Sequence, residues 1–118
     1  MKMSRREKTE SCPLLRNGED LETAIRELDH VFVLFYASWC PFSRMFLPSF
    51  LDQAARGEPC YRRVLADEDE ALIRKYGIEV YPTVLFFRHG RVEKRLDGLF
   101  HVGLSQGQLV DFVEYCSS

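Results

Sequence analysis

The chain has 118 residues, 46% of them hydrophobic, enough for one compact core and too few for two ordinary domains. Sixteen basic and eighteen acidic side chains nearly cancel to a net charge of -2, and no long block of one sign supplies an electrostatic footprint for nucleic acid. The longest apolar run, VFVLFYA, is far too short to cross a bilayer, and the charged opening MKMSRREKTE lacks the apolar stretch of a secretory signal.

No membrane association is therefore expected. The chain as it stands reads as cytoplasmic, or as secreted, periplasmic or lumenal if a signal peptide has been removed. The four cysteines, Cys12, Cys40, Cys60 and Cys116, are widely spaced. With a good-sized core available, this argues for mostly unpaired thiols in a reducing compartment rather than a disulfide framework. His30, His89 and His101 are isolated from one another, and no Cys/His group has zinc-like spacing, so no metal site is expected.

Residues 1–10 are expected to be a charged, flexible tail, with one domain over residues 11–118. A short strand fits Cys12-Pro13-Leu14-Leu15, and Pro13 pushes it to a sheet edge because proline cannot donate to the ladder. Asn17 is a candidate N-cap for a helix carrying Leu21, Ile25 and Leu28 on one face and ending near Asp29. Residues 31–37 are apolar throughout, as expected of a central strand buried on both faces. A helix follows from Pro41 to about Arg56, with Met45, Phe46, Phe50 and Leu51 as apolar positions and Pro48 as an internal kink. Residues 61–66 fit a third strand. The run DEDE caps a short helix that stops at Tyr76-Gly77. Residues 83–87 form a further apolar strand, His89-Gly90 a tight turn, and residues 91–96 its return. Ser105 and Gln108 make a capping box for a last helix with Leu109, Phe112, Val113 and Cys116 at helical spacing, so Cys116 is expected in the core. The order β-α-β-α-β-α-β-β-α implies an α/β layer structure, parallel early and antiparallel late.

The stretch YASWCPFSR lies where the central strand runs into the following helix. A thiol at a helix start faces unpaired backbone N–H groups and the positive end of the helix dipole, which favour its thiolate form. Ser43, one turn on, has a hydroxyl to offer the sulfur as a further donor. Cys40 is thus the candidate nucleophile, with Ser43 beside it.

Trp39-Cys40-Pro41-Phe42-Ser43, the internal Pro48 and Tyr81-Pro82-Thr83 together make the chain resemble the thioredoxin family from about Cys12 to Cys116. WCPFS sits where that family has Trp-Cys-x-x-Cys, and Tyr81-Pro82-Thr83 where it has a cis-proline loop. The resemblance implies the thioredoxin fold, a central mixed five-stranded sheet flanked by helices, and thiol-disulfide chemistry without a cofactor. It also implies a substrate-binding set of Trp39, Pro41, Phe42, Tyr81, Pro82 and Thr83. Arg63 is a further candidate for electrostatic support beneath the site.

Three departures bear on function. Ser43 stands where the resolving cysteine should be, Leu34 occupies the place of the family's buried acid, and the 99–107 segment LFHVGLSQG is longer than the usual connection. Serine cannot release a mixed disulfide. The expected activity is a monothiol oxidoreductase or isomerase acting through Cys40 on protein disulfides or thiols, with glutathione or another thiol as co-substrate. Two alternatives stay open: a binding module of the same fold in which Cys40 is incidental, and a dithiol enzyme changed to serine as a trap, against which Leu34 counts.

Overall fold

The computed structural model describes residues 4–56 and 60–117. Within the charged run expected as a tail, Arg5–Glu10 form helix α1, and residues 1–3 lie outside the described ones. The signal for α1 is local: Ser4 Oγ accepts from the Glu7 backbone N–H at 3.2 Å, while the Glu7 carboxylate accepts in return from the Ser4 backbone. Lys8 reaches Asp52 at 2.6 Å and ties α1 to helix α3 (Pro41–Ala54).

The remaining elements follow the expected order. They are β1 (Leu14–Leu15), α2 (Gly18–Glu27), β2 (His30–Tyr36), α3, β3 (Cys60–Leu65), a 3-10 turn at Ala66–Glu68, α4 (Glu70–Lys75), β4 (Thr83–Arg88), β5 (Arg91–Asp97) and α5 (Gln106–Ser117). The sheet order is β1-β3-β2-β4-β5. β3 is parallel to β1 and β2, and β4 is antiparallel to both β2 and β5. The mixed five-stranded sheet and its flanking helices are those of the thioredoxin fold, and β1, preceded by Pro13, is indeed an edge.

Alternation along β2 divides the core. Phe32, Leu34 and Tyr36 face one side with Phe46, Phe50, Leu109, Phe112 and Cys116; Val31, Val33 and Phe35 face the other with Leu21, Leu72, Ile73 and Ile78. Phe32 lies 4.6 Å from Phe86 and 5.3 Å from Tyr61, ring centre to ring centre, so its loss should cost about 3–5 kcal/mol. Met45, read as an apolar position of α3, is 76% exposed. It lies outside the arc that carries Phe46, Phe50 and Ala54 into the core.

Local signals account for the element ends. Asn17 Oδ1 accepts from Asp20 N at 2.8 Å, Asp69 Oδ1 from Leu72 N at 3.0 Å, and Ser105 Oγ from Gln108 N at 3.1 Å. At the β4–β5 turn His89 and Gly90 have φ of 51° and 80°, the left-handed pair that matches a hairpin's twist.

Candidate functional site

Strand pairing assembles the site at the C-terminal end of β2. Because β3 is parallel to β2 and Leu65 pairs with Tyr36, the turn after β3 lands beside the loop after β2. Because β4 is antiparallel to β2 and Thr83 pairs with Phe35, Tyr81 and Pro82 come to the same place from the opposite direction. Residues 38–43, 67 and 81–82 thus converge although they are far apart in sequence.

Cys40 is the N-cap residue of α3, with Pro41 at the first helical position. It is 6% exposed, and its thiol donates to the carbonyl oxygen of Tyr81 at 3.8 Å, a sulfur-length contact. The Tyr81–Pro82 peptide bond is cis. Ser43 is fully buried, and its hydroxyl accepts from the Ala37 backbone N–H at 3.2 Å. Its partner is therefore the end of β2 rather than the sulfur, since a side chain in the first helical turn leans back toward the preceding loop. Leu34 is fully buried in the apolar cluster beneath α3 and puts no acid below the thiol.

The loop before Cys40 is held by a residue that sequence reasoning used only as part of a capping run. Asp67 accepts from Ser38 N at 3.0 Å and from the Ser38 hydroxyl. These two bonds hold its carboxyl below the usual carboxylate range, the side-chain bond first. Trp39, 65% exposed, stands edge-on to Tyr81 with ring centres 5.9 Å apart. Partial burial pushes the Tyr81 phenol up, and the nearby Asp67 charge adds to the shift. Pro82 and Thr83 are buried; the Thr83 hydroxyl donates to Val80 O at 2.8 Å and so braces the loop from within.

A cleft of about 260 Å³ opens over the thiol, lined by Trp39, Cys40, Phe42, Glu79, Tyr81 and part of the 99–103 loop. Of the residues expected to bind substrate, Trp39, Pro41, Phe42 and Tyr81 line this cleft, while Pro82 and Thr83 support it from below. Two glycines keep the loop close. A Cβ on Gly98 would sit 2.6 Å from Pro82 O, and one on Gly103, whose φ is +81°, would sit 2.8 Å from Phe42 Cβ.

Arg63 does not support the site. Its guanidinium donates to Cys12 O at 3.0 Å and to the Tyr36 hydroxyl at 2.8 Å, within the sheet and away from the sulfur. Cys12 is buried, which pushes its thiol up to about 12 despite the nearby Arg63 and Arg62. Cys116 is pushed up to about 11, chiefly by burial. Cys60 pairs with Val31 at the opposite end of β2, roughly 16 Å along the strand from Tyr36. All four cysteines are free. Among the described residues no cluster of His, Cys, Asp and Glu is placed to hold a metal ion, and no helix is long and apolar enough to cross a membrane.

Cys40 thus opens a helix next to a cis-proline loop, on a mixed five-stranded sheet of thioredoxin order. The chain belongs to the thioredoxin family, whose profile, Thioredoxin, matches residues 13–115. It is similar to Endoplasmic reticulum resident protein 44 of Mus musculus, 30% identical over 87 residues covering 67% of this chain and 21% of that protein. Protein disulfide-isomerase 1 of Caenorhabditis elegans is 30% identical over 107 residues, 86% of this chain and 21% of that protein. Among solved structures, a mutant thioredoxin from Halobacterium salinarum superposes with a TM-score of 0.77 at 25% identity, covering 89% of this chain and 90% of that one. The family is one of thiol-disulfide oxidoreductases and needs no cofactor. The chain spans about a fifth of the length of the endoplasmic reticulum and isomerase relatives, at 21% of each.

Proposed function

We propose that the protein is a monothiol thiol-disulfide oxidoreductase or isomerase that works through Cys40. The observation that carries this reading is the pairing of Cys40 at the start of α3 with a buried Ser43 in the place of a second thiol. Cys12, Cys60 and Cys116 are built into other parts of the fold.

In the first step the Cys40 thiolate attacks one sulfur of a client disulfide. A Cys40–client S–S bond forms, the client S–S bond breaks, and the second client sulfur leaves as a thiolate. Ser43 cannot attack the new bond, so release needs the client's own thiolate or an external thiol such as glutathione. Attack by the client's thiolate regenerates Cys40 and gives a rearranged client disulfide with no net oxidation. Attack by external thiols leaves the client reduced and the thiol pair oxidised. Trp39, Pro41, Phe42 and the Tyr81–Pro82 loop hold the client, the Tyr81 backbone pairing with an extended segment as an added strand would.

Exposure to a small neutral disulfide followed by peptide mass mapping tests this reading. The expected result is one adduct, on Cys40, that persists until thiol is added. Equal labelling of a Cys40→Ser variant would overturn it. The binding-module reading draws on the 6% exposure of Cys40; it requires Cys40 to be alkylated no faster than Cys116. Cytoplasmic residence and action on protein rather than small-molecule disulfides belong to the same proposal, which a tagged full-length chain and trapped-client mapping would test.

A further inference from the structure

We propose that the Cys40 cleft is built for a polypeptide segment whose reacting cysteine is flanked by an apolar side chain and by lysine or arginine, and that it disfavours glutathione disulfide. This rests on the reading of Cys40 above and adds the substrate class.

The first support is the loop after β5. Leu99 N donates to Gly103 O at 3.1 Å, Gly103 N to Leu99 O at 2.8 Å, and Val102 N to Leu99 O at 2.9 Å. Gly98 N donates to Pro82 O at 3.0 Å, which fixes this small hairpin against the cis-proline loop. Closed by these bonds, the hairpin turns Leu99, Phe100 and Val102 outward, at 61%, 75% and 65% exposure. Leu99 and Phe100 line the cleft opposite Trp39. Apolar side chains held in water beside a nucleophile gain nothing for folding; they stabilise a partner that covers them.

The second support is charge. Glu79 is exposed and lines the cleft. Asp67 and Glu70 lie close enough to act on the Tyr81 hydroxyl. Two cations lie on this side against four acids: Arg95 is bound to Asp97 and to the carbonyls of Tyr76 and Gly77 and also feels the Glu79 charge, and Arg74 lies 3.7 Å from Glu70 in an exposed pair. His101 is the basic-type side chain on the facing wall. The Tyr81 side of the cleft therefore presents an acidic margin next to an apolar wall. Glutathione disulfide carries net negative charge and no large apolar side chain, so it meets like charge and leaves the wall uncovered.

The chemistry is unchanged: the thiolate of Cys40 takes one sulfur of the client disulfide and the other leaves as thiolate. Two synthetic peptides test the selection. Each carries one cysteine as a mixed disulfide with the same neutral chromogenic thiol, one flanked by Phe and Lys, the other by Ser and Glu. The full chain should release the chromophore from the first about tenfold faster, with the gap narrowing as salt is raised. Glu79→Lys should narrow the gap, and Phe100→Ser should lower the rate with the first peptide relative to a small neutral disulfide several-fold. Equal rates for the two peptides, or a preference untouched by both substitutions, would overturn the proposal while leaving the monothiol reading intact. A Cys40 inert even to the small neutral disulfide would sink both.

Discussion

The start of α3 and the end of α5 each hold a cysteine that is almost fully buried, Cys40 at 6% and Cys116 at 4% exposure. Burial alone does not separate them; their surroundings do. Cys40 precedes the first turn of its helix, next to open backbone N–H groups, with a cleft above it and an exposed apolar rim of Trp39 and Phe100. Cys116 sits in the last turn of α5, packed among core residues, with Glu93 adding to the effect of burial. A negative sulfur is favoured at the positive end of a helix and opposed at the other. On the proposed reading, the same residue type is a reagent at one place and packing at the other.

The sharpest way to break this contrast is to remove each thiol in turn. Cys40→Ser should abolish disulfide adducts altogether, read by intact mass, whereas Cys116→Ala should leave them and cost about 1–2 kcal/mol in denaturant unfolding. Next in size is Ser43→Cys. It should create an internal disulfide between Cys40 and the introduced thiol, and shorten the lifetime of a peptide adduct roughly tenfold or more. Release should still lag a dithiol enzyme, because Leu34 offers no proton acceptor below the site.

A smaller effect appears at high pH. The folded chain holds the Cys12 and Cys116 protons more tightly than the unfolded chain does, with values raised from 9.0 to about 12 and about 11. Their contribution to stability is therefore complete below about pH 9 and is lost as pH rises toward 12. Urea midpoints measured across that window should fall, and Cys12→Ala should flatten the slope. The smallest expected change is at Asp67, whose depressed carboxyl favours the folded loop above the ordinary carboxylate range and loses that effect as pH falls through its folded value. Asp67→Asn should raise the Cys40 alkylation rate at neutral pH about threefold by freeing the loop at Ser38 before the buried thiol, leaving Cys116 untouched.

The elements were legible because their signals are local. Asn17, Asp69 and Ser105 cap helices by reaching three residues ahead, and the apolar run of β2 admits only a buried strand. The place of Cys40 at the start of α3 was legible from Pro41 after it. Asp67 was not, because its bond to Ser38 spans 29 positions and exists only once β3 lies parallel to β2. Arg63 misled for the same reason: a guanidinium in a strand does not reveal whether it turns toward the site or toward Tyr36 and the Cys12 carbonyl. The cleft's second wall was visible only as an over-long connection. Its outward-facing Leu99 and Phe100 depend on Gly98 approaching Pro82 O, a contact across 16 positions that spacing does not encode.

The two margins of the sheet also bear on how the protein behaves at high concentration. β1 is only two residues long and follows Pro13, and β5 presents Arg91, Glu93, Lys94 and Arg95 along an exposed edge. Short length on one side and mixed charge on the other discourage a second chain from zipping on by backbone pairing, the first step toward ordered aggregates. The proposed docking of an extended segment at Tyr81 therefore meets no competing template in the protein's own sheet.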